Sequence, residues 1–522
     1  MVTKISIKKN QYRDSVFLMV ISEQARSLPG IVEIAVMMGT DNNKSLMEGV
    51  GFSGFDLDSA RVNDMVFCIR GESQEAVENA LTQVEEMLTR RPRSGELADV
   101  HKTLDAVIRE RPETNFAIIS VPVPFAARET KKALNYGLNV LVFSDNVPVE
   151  EEVELKKLAS KMNRIVMGPD CGTAIINHVA LAFANAVTAG PIGLVAASGT
   201  GLQEVICLID RAGYGISQAI GTGGRDLSDE VGGISMLRGL DILDEDEETE
   251  VIVLISKPPG PSTTEKILKR VSKSPKKVIV NFLGYDTGRI SNSGAIAAGT
   301  LEETAYLAVA TLKGEPYRYK NFGMPEVEMK RMVENETERM TRDQKFIRGL
   351  YSGGTLCDEA ILILSSIVGE VYSNVPIQPN LGLQDLSKGY RHCCIDLGDD
   401  HFTRGRPHPM ISPEIRNRYL LNEAKDREVA VLLLDVVLGY GAHMNMAGAL
   451  AESIKVAKSK AESRGQYLSV VASVCGTTRD PQDFSSQVEQ LRKVGVVVMP
   501  SNAQAARFAA MIAVKLQSKF RT

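Results

Sequence analysis

Short apolar runs, each closed by a Gly- or Ser-rich turn and followed by helical periodicity, recur along almost the whole chain. Strands alternating with helices in this way imply parallel sheets, with ligands held at the carboxyl ends of the strands. The clearest unit is Gly193-Leu-Val-Ala-Ala-Ser198-Gly199-Thr200-Gly201-Leu-Gln-Glu-Val. It reads as a buried strand, a tight turn, and a helix whose first amides have no acceptor in their own helix. Those amides and the positive end of the helix dipole make Ser198, Gly199, Thr200 and Gly201 a candidate phosphate site. The same residue types also serve as ordinary caps and close-packing positions, so the turn alone does not decide.

A chain of 522 residues exceeds one core, and three or four domains are expected. The rhythm and its interruptions divide it into 1–95, 96–190, 191–318, a charged helical connector over 319–345, and 346–522. The polar stretch Arg90-Arg-Pro-Arg-Ser-Gly-Glu marks the first linker. The fold class expected is α/β, with several doubly wound parallel-sheet domains of Rossmann or flavodoxin type, and with 1–95 an N-terminal α/β domain. The net charge of −5 argues against nucleic acid as a partner. No run approaches the ~18 apolar residues of a membrane span. The seven cysteines (68, 171, 207, 357, 393, 394 and 475) form no C-x-x-C pair and lie mostly in apolar segments. They read as reduced thiols of a cytoplasmic protein, and no metal is expected.

Several strand ends carry more polarity than a turn needs. Strand 164–167 ends in Gly168-Pro169-Asp170-Cys171-Gly172, which we place at the substrate site. Cys171 there reads first as a packed thiol and second as a nucleophile. In 191–318 the strand ends Gly221-Thr-Gly223-Gly224-Arg225 and Ser256-Lys257 would lie side by side at one sheet edge. Lys257, directly after a buried strand, is well placed to meet an anion. In the last domain two turns repeat the opening theme: Ser352-Gly-Gly-Thr355, and Leu438-Gly439-Tyr-Gly441-Ala-His443. The loop Gly398-Asp399-Asp400-His401-Phe-Thr-Arg404-Gly-Arg406-Pro-His408 holds more charge than packing would satisfy.

The order of these motifs resembles succinyl-CoA synthetase. Residues 100–310 are similar to its α subunit through Val121-Pro-Val-Pro-Phe, Met167-Gly-Pro-Asp-Cys-Gly, Ala197-Ser-Gly-Thr and Arg289-Ile-Ser-Asn-Ser-Gly-Ala-Ile. Residues 346–518 are similar to the β subunit's C-terminal domain through Gly353-Gly-Thr, Ile395-Asp-Leu-Gly-Asp-Asp and Leu434-Asp-Val-Val-Leu-Gly-Tyr-Gly. With Arg404-Gly-Arg-Pro-His-Pro-Met and Gly476-Thr-Thr-Arg-Asp-Pro-Gln added, the whole chain resembles the FdrA family. The resemblance implies a CoA-binding-like Rossmann domain at 96–190 and flavodoxin-type ligase-like domains at 191–318 and 346–522.

The departures are chemical. Asn292 stands where the synthetase phosphorylates a histidine, and an amide cannot form a phosphohistidine. No stretch is left for an ATP-grasp domain, and the Gly-rich CoA loop has no counterpart before Val121, so no cofactor is firmly implied and CoA is in doubt. What remains could use a ready-made acyl phosphate. The resemblance implies a subunit of an oxamate-type carbamoyltransferase in anaerobic allantoin degradation, working with other subunits on carbamoyl phosphate, phosphate and oxamate. Ser198–Gly201 with Gly439 and Gly441 would form a two-helix phosphate clamp. Arg225, Lys257, Arg404 and Arg406 would neutralise anions, with Asp399 and Asp400 nearby. His408 or His443 would move a proton. The rival expectation is an acyl-CoA synthetase-like ligase or a CoA-ester-binding protein.

Overall fold

The computed structural model describes every residue except 14, 27, 41–42, 45–46, 49–50, 90–102, 405 and 521–522. The linker expected at 90–96 and part of the Gly39–Lys44 loop lie outside the described residues. The chain forms two compact units, Met1–Arg109 with Asp399–Ser412, and Glu110–Gly398 with Pro413–Thr522.

In the first unit, strands Val2–Lys8, Ile31–Met38 and Met65–Gly71 form a sheet with Met65–Gly71 in the centre and both pairings antiparallel. The α/β domain expected at 1–95 is thus built on an antiparallel sheet. The strands joined by helix Ser15–Arg26 are not neighbours; they flank a third strand that runs the other way. Alternation of strand and helix in sequence cannot distinguish these two pairings. Leu18, Ile21, Val77, Ala80 and Val84, from that helix and from Gln74–Thr89, join the sheet's apolar residues in one core.

The second unit holds three sheets. A small parallel one joins Phe116–Ile119, Asn139–Val142 and Val166–Met167. The seven-stranded sheet runs, across its width, Ile296–Ala297, Lys277–Phe282, Val251–Ser256, Ala189–Ala197, Ile216–Gly221, Thr173–Ile176 and Val179–Ala182. Its first five strands are parallel, and the last two form an antiparallel hairpin on its edge that the sequence reading missed. The six-stranded sheet is wholly parallel: Tyr372–Ser373, Cys393–Asp396, Phe346–Tyr351, Val429–Val437, Ser469–Cys475 and Val497–Met499.

In each of the two larger sheets the first long strand (Ala189–Ala197, Phe346–Tyr351) lies inside the sheet, and the chain winds outward from it both ways. That reversal opens a crevice at the strand's carboxyl end, the usual place for a ligand in such sheets. Ser198 and Ser352 follow those two strands directly.

The two lobes built on these sheets hold each other reciprocally. Glu204, on helix Gly199–Arg211, accepts the amide of Asn502 at the start of the other lobe's last helix (3.0 Å). Glu359, on helix Gly354–Val368, accepts the amide of Leu301 at the start of the first lobe's last helix (2.7 Å). Each buried carboxylate thus serves the first-turn amide of a helix from the opposite lobe, where the dipole favours negative charge. Between the lobes, helix Glu326–Thr337 buries Met329 and Val333 and packs on Asn502–Lys519. The connector read as a solvated helix therefore has an apolar face in use.

Candidate active site

The opening motif folds as its residue types dictate. Ser198 is an extended N-cap whose Oγ accepts the amide of Gly201 at 3.0 Å, and helix Gly199–Arg211 follows. Facing it is the start of helix Gly354–Val368, which has no side-chain cap. The Ser198 hydroxyl donates to Thr355 Oγ1 at 2.6 Å, fully buried, and so joins the two helix starts. The fit is close on both sides. A Cβ on Gly353 would come within 2.9 Å of three Thr200 atoms, and one on Gly201 within 2.9 Å of Thr355 Cγ2. Glycine is required at both positions by this approach. Gly199 stays exposed, with Thr200 and Gly354 half-buried, so the first amides of both helices open on the same rim.

Asp435 orients the second helix start. It is completely buried in strand Val429–Val437 and accepts the amides of Ser352 (2.9 Å) and Gly353 (2.8 Å) and the Ser352 hydroxyl (2.9 Å). Arg416, itself buried, pairs with it at 3.0 Å and offsets the cost of a carboxylate out of water. The sequence reading did not single out Asp435. Its signal was available as the lone charge in an otherwise apolar strand, which must be satisfied by partners.

Lys257 reaches the same place from the end of Val251–Ser256. Its Nζ lies 3.3 Å from Asp358 Oδ2 and 2.9 Å from the position of a Cβ on Gly354, which would also meet Asp396 Oδ2 at 2.6 Å. Burial opposes the ammonium charge, but the carboxylates of Asp358 and Asp396 outweigh it and hold the pKa above the usual lysine value. Burial pushes Asp358 up, against the pull of Lys257. Two helix N-termini, a hydroxyl pair and a fixed cation therefore meet at one rim. Such an arrangement suits a phosphate or another oxyanion.

The predicted residues divide sharply. Ser198, Gly199, Thr200, Gly201 and Lys257 come together, but the partner turn is Ser352–Thr355. Gly439 and Gly441 are not in the clamp. Gly439 packs on the carbonyls of Phe183 and Ala184, donates its amide to Gln482, and with Gly441 has φ in the left-handed range. Their helix begins only at Met446, capped by Asn445. Arg225 is engaged structurally, with Glu152 at 2.9 Å and the Val147 carbonyl at 2.7 Å. It belongs to a buried network in which Lys156 pairs with Glu152 (2.8 Å) and Asp226 (2.7 Å) and clips helix Val149–Lys161 to the larger sheet's lobe. Gly223 packs on Pro169, and Gly224 is exposed.

Cys171 is a packed thiol. It faces the carbonyls of Thr173 and Gly221, and burial pushes its pKa up to about 12, far from a thiolate nucleophile. Of its neighbours, Asp170 is exposed, Pro169 is buried and Gly172 is half-buried. Asp399, Asp400, Arg404, Arg406 and His408 fall in the segment that groups with the N-terminal unit. Asp399 caps the short helix Asp400–Thr403 through the amide of His401 (3.0 Å), and Arg404 and Arg406 are exposed. His408 Nδ1 accepts the amide of Met410 and His443 Nδ1 that of Asn445.

At the start of helix Val123–Asn135, Pro122 and Pro124 remove two amides, and Ser144 closes the turn by bonding Val121 N and O (3.0 and 2.7 Å). Among the described residues no group of three or more His, Cys, Asp or Glu converges as metal ligands.

Residues 350–512 match the CoA-ligase family, 188–284 the CoA binding domain, and 1–103 the family described as "AllF, heavy metal-associated domain". The last name does not fit the residues present. The one cysteine in that span, Cys68, is buried against Met47, and burial pushes its pKa up to about 12. The α subunit of the ADP-forming succinate–CoA ligase of Methanothermobacter thermautotrophicus is 28% identical over 207 residues, 38% of this chain and 69% of that one. A dinucleotide-forming acetyl-coenzyme A synthetase 1 of Ca. Korarchaeum cryptofilum, solved with phosphate and ADP, is 17% identical at a TM-score of 0.31, covering 82% of this chain and 88% of that one. The uncharacterized protein YahF of Escherichia coli K12 is 42% identical over 504 residues, 96% of this chain and 97% of that one. The chain therefore belongs to the family of YahF, an FdrA-like family built from succinyl-CoA synthetase-like domains.

Proposed function

We propose that this protein is a subunit of an oxamate-type carbamoyltransferase that interconverts oxamate plus carbamoyl phosphate with oxalurate plus phosphate. The observation that carries the reading is the junction of the two helix starts at Ser198 and Thr355 beside Lys257. It supplies an oxyanion site in a chain with Asn292 in place of the phosphorylated histidine. Phosphate would arrive on the substrate. In the forward direction the oxamate amide nitrogen attacks the carbamoyl carbon and an N–C bond forms. The C–O bond to phosphate breaks, and the nitrogen loses a proton. Amides of Gly199, Thr200, Gly354 and Thr355, with the Lys257 ammonium, take up the charge that develops on the leaving phosphate. The AllF-type N-terminal domain supports a place in allantoin degradation, where carbamoyl transfer from oxalurate would be used. The proton-transfer group and the site of the oxamate carboxylate would come from elsewhere, including partner subunits.

An acyl-CoA ligase-like or CoA-ester-binding protein fits the family matches about as well. Calorimetry separates the readings. Phosphate and carbamoyl phosphate should bind the full chain, and Ser198→Ala or Thr355→Val should weaken both roughly tenfold, a loss of about 1.4 kcal/mol. Unchanged affinity in both variants would remove this site. ADP formation from ATP, CoA and a carboxylic acid by the isolated chain would favour the ligase.

A further inference from the structure

The motif Gly476-Thr477-Thr478-Arg479-Asp480 plays no part in the site above, yet it is built with care. Asp480, buried, accepts the amides of Thr477 and Ala186 and the side chain of Asn185, each at 2.8 Å. The Thr477 hydroxyl donates to the Ala186 carbonyl at 2.6 Å and accepts the amide of Arg479. This clasp ties the end of strand Ser469–Cys475 in one lobe to residues 185–186 of the other. It leaves Arg479 exposed on a fixed backbone, and among the described residues its guanidinium has no acidic partner.

Arg479 lines a cleft of about 200 Å³ between the two lobes. Tyr440 stands on the same cleft, 47% exposed, and its hydroxyl has no partner among the described residues. His178 is the third wall. It occupies the tip of the hairpin Thr173–Ile176/Val179–Ala182, where Asn177 and His178 have φ of 47° and 64°. A two-residue turn with both φ positive favours Asn-Gly. His178 takes the second position, with its side chain on the cleft. Its Nε2 lies 3.0 Å from Glu248, so the ring is held in place and its charge, when present, is balanced.

We propose that this cleft is a second anion site, separate from the paired helix starts, and that it takes a small carboxylate. The guanidinium fork matches a carboxylate in two parallel hydrogen bonds. The Tyr440 hydroxyl can donate to a further oxygen of the ligand. The cleft, of about 200 Å³, suits a compact organic acid. The inference shares no residue with the phosphate site and does not depend on the reaction assigned to it.

The test is calorimetric titration of the full chain with oxamate, malonate and succinate, repeated on Arg479→Met and Tyr440→Phe. We expect at least one of the three acids to bind, its affinity to fall at least tenfold in Arg479→Met and less in Tyr440→Phe, and inorganic phosphate to bind both variants as it binds the parent. Melting curves on the same samples report whether the variants are folded, which their exposed positions favour. Absence of binding by all three acids, or an affinity unmoved by Arg479→Met, would overturn the proposal. Loss of phosphate binding in Ser198→Ala with Arg479-dependent acid binding retained would separate the two sites.

Discussion

Glu359 shows how much one residue's setting matters. It is buried at the join of the lobes, accepts from Leu301 N and Asn502 Nδ2 (2.8 Å), and burial raises its pKa from 4.5 to about 7 despite those bonds. The folded protein therefore holds a proton on this carboxyl over a pH range in which the unfolded chain has lost it. Stability from this group is greatest below about 4.5, declines as pH rises to about 7, and is flat above. The whole effect is roughly 3 kcal/mol by the free energy of a pKa unit. Glu359→Gln should flatten that part of the stability–pH curve in urea unfolding, and a slope equal to the parent's would refute the assignment. No sequence pattern announces this. Glu359 sits in a helix whose other residues read as core, and its burial follows from the opposing helix.

The elements that matter most are the two helices whose starts meet. Their contact relies on small residues at Gly201 and Gly353, where a Cβ would lie 2.9 Å from atoms of Thr355 and Thr200. Gly353→Ala should therefore force the helix starts apart and cost about 1–3 kcal/mol in denaturant unfolding, with weaker phosphate binding in the same protein. Wild-type stability and affinity in Gly353→Ala would show that the close approach is unimportant. The strand–turn–helix character of both elements was plain from Gly193–Val205 and Phe346–Thr355, because an apolar run, a Ser/Gly turn and a capped helix are local properties. Which turn faces Ser198 was not. Ser352–Thr355 and Leu438–His443 are both Gly-rich turns after a strand, and only the winding of the sheet puts the first of them opposite Ser198.

For the second compact unit as a whole, the reciprocal bonds of Glu204 and Glu359 and the Asp480 clasp make the two lobes one body joined by an irregular, largely exposed segment at 315–325. A single engineered protease site between Arg318 and Lys320 should give two fragments that co-elute on size exclusion in native buffer and part only in denaturant. Fragments that separate without denaturant would show that the buried contacts do not hold the lobes. No described helix is long and apolar enough to cross a membrane.

The sequence by itself determined most of the longer strands and helices and the strand–turn–helix at Ser198, because periodicity, capping and turn chemistry act over a few residues, and its motifs carried the family resemblance. Tertiary structure alone decided the antiparallel pairing in the first unit, the choice of Thr355 over Gly439 as partner of Ser198, and the burial that makes Cys171 an inert thiol. It also decided that Arg225 is tied to Glu152 while Arg479 is left without an acid among the described residues. Each of these depends on which distant segment supplies the neighbour. A charge, a thiol or a glycine takes its role from that neighbour, and local sequence does not encode it.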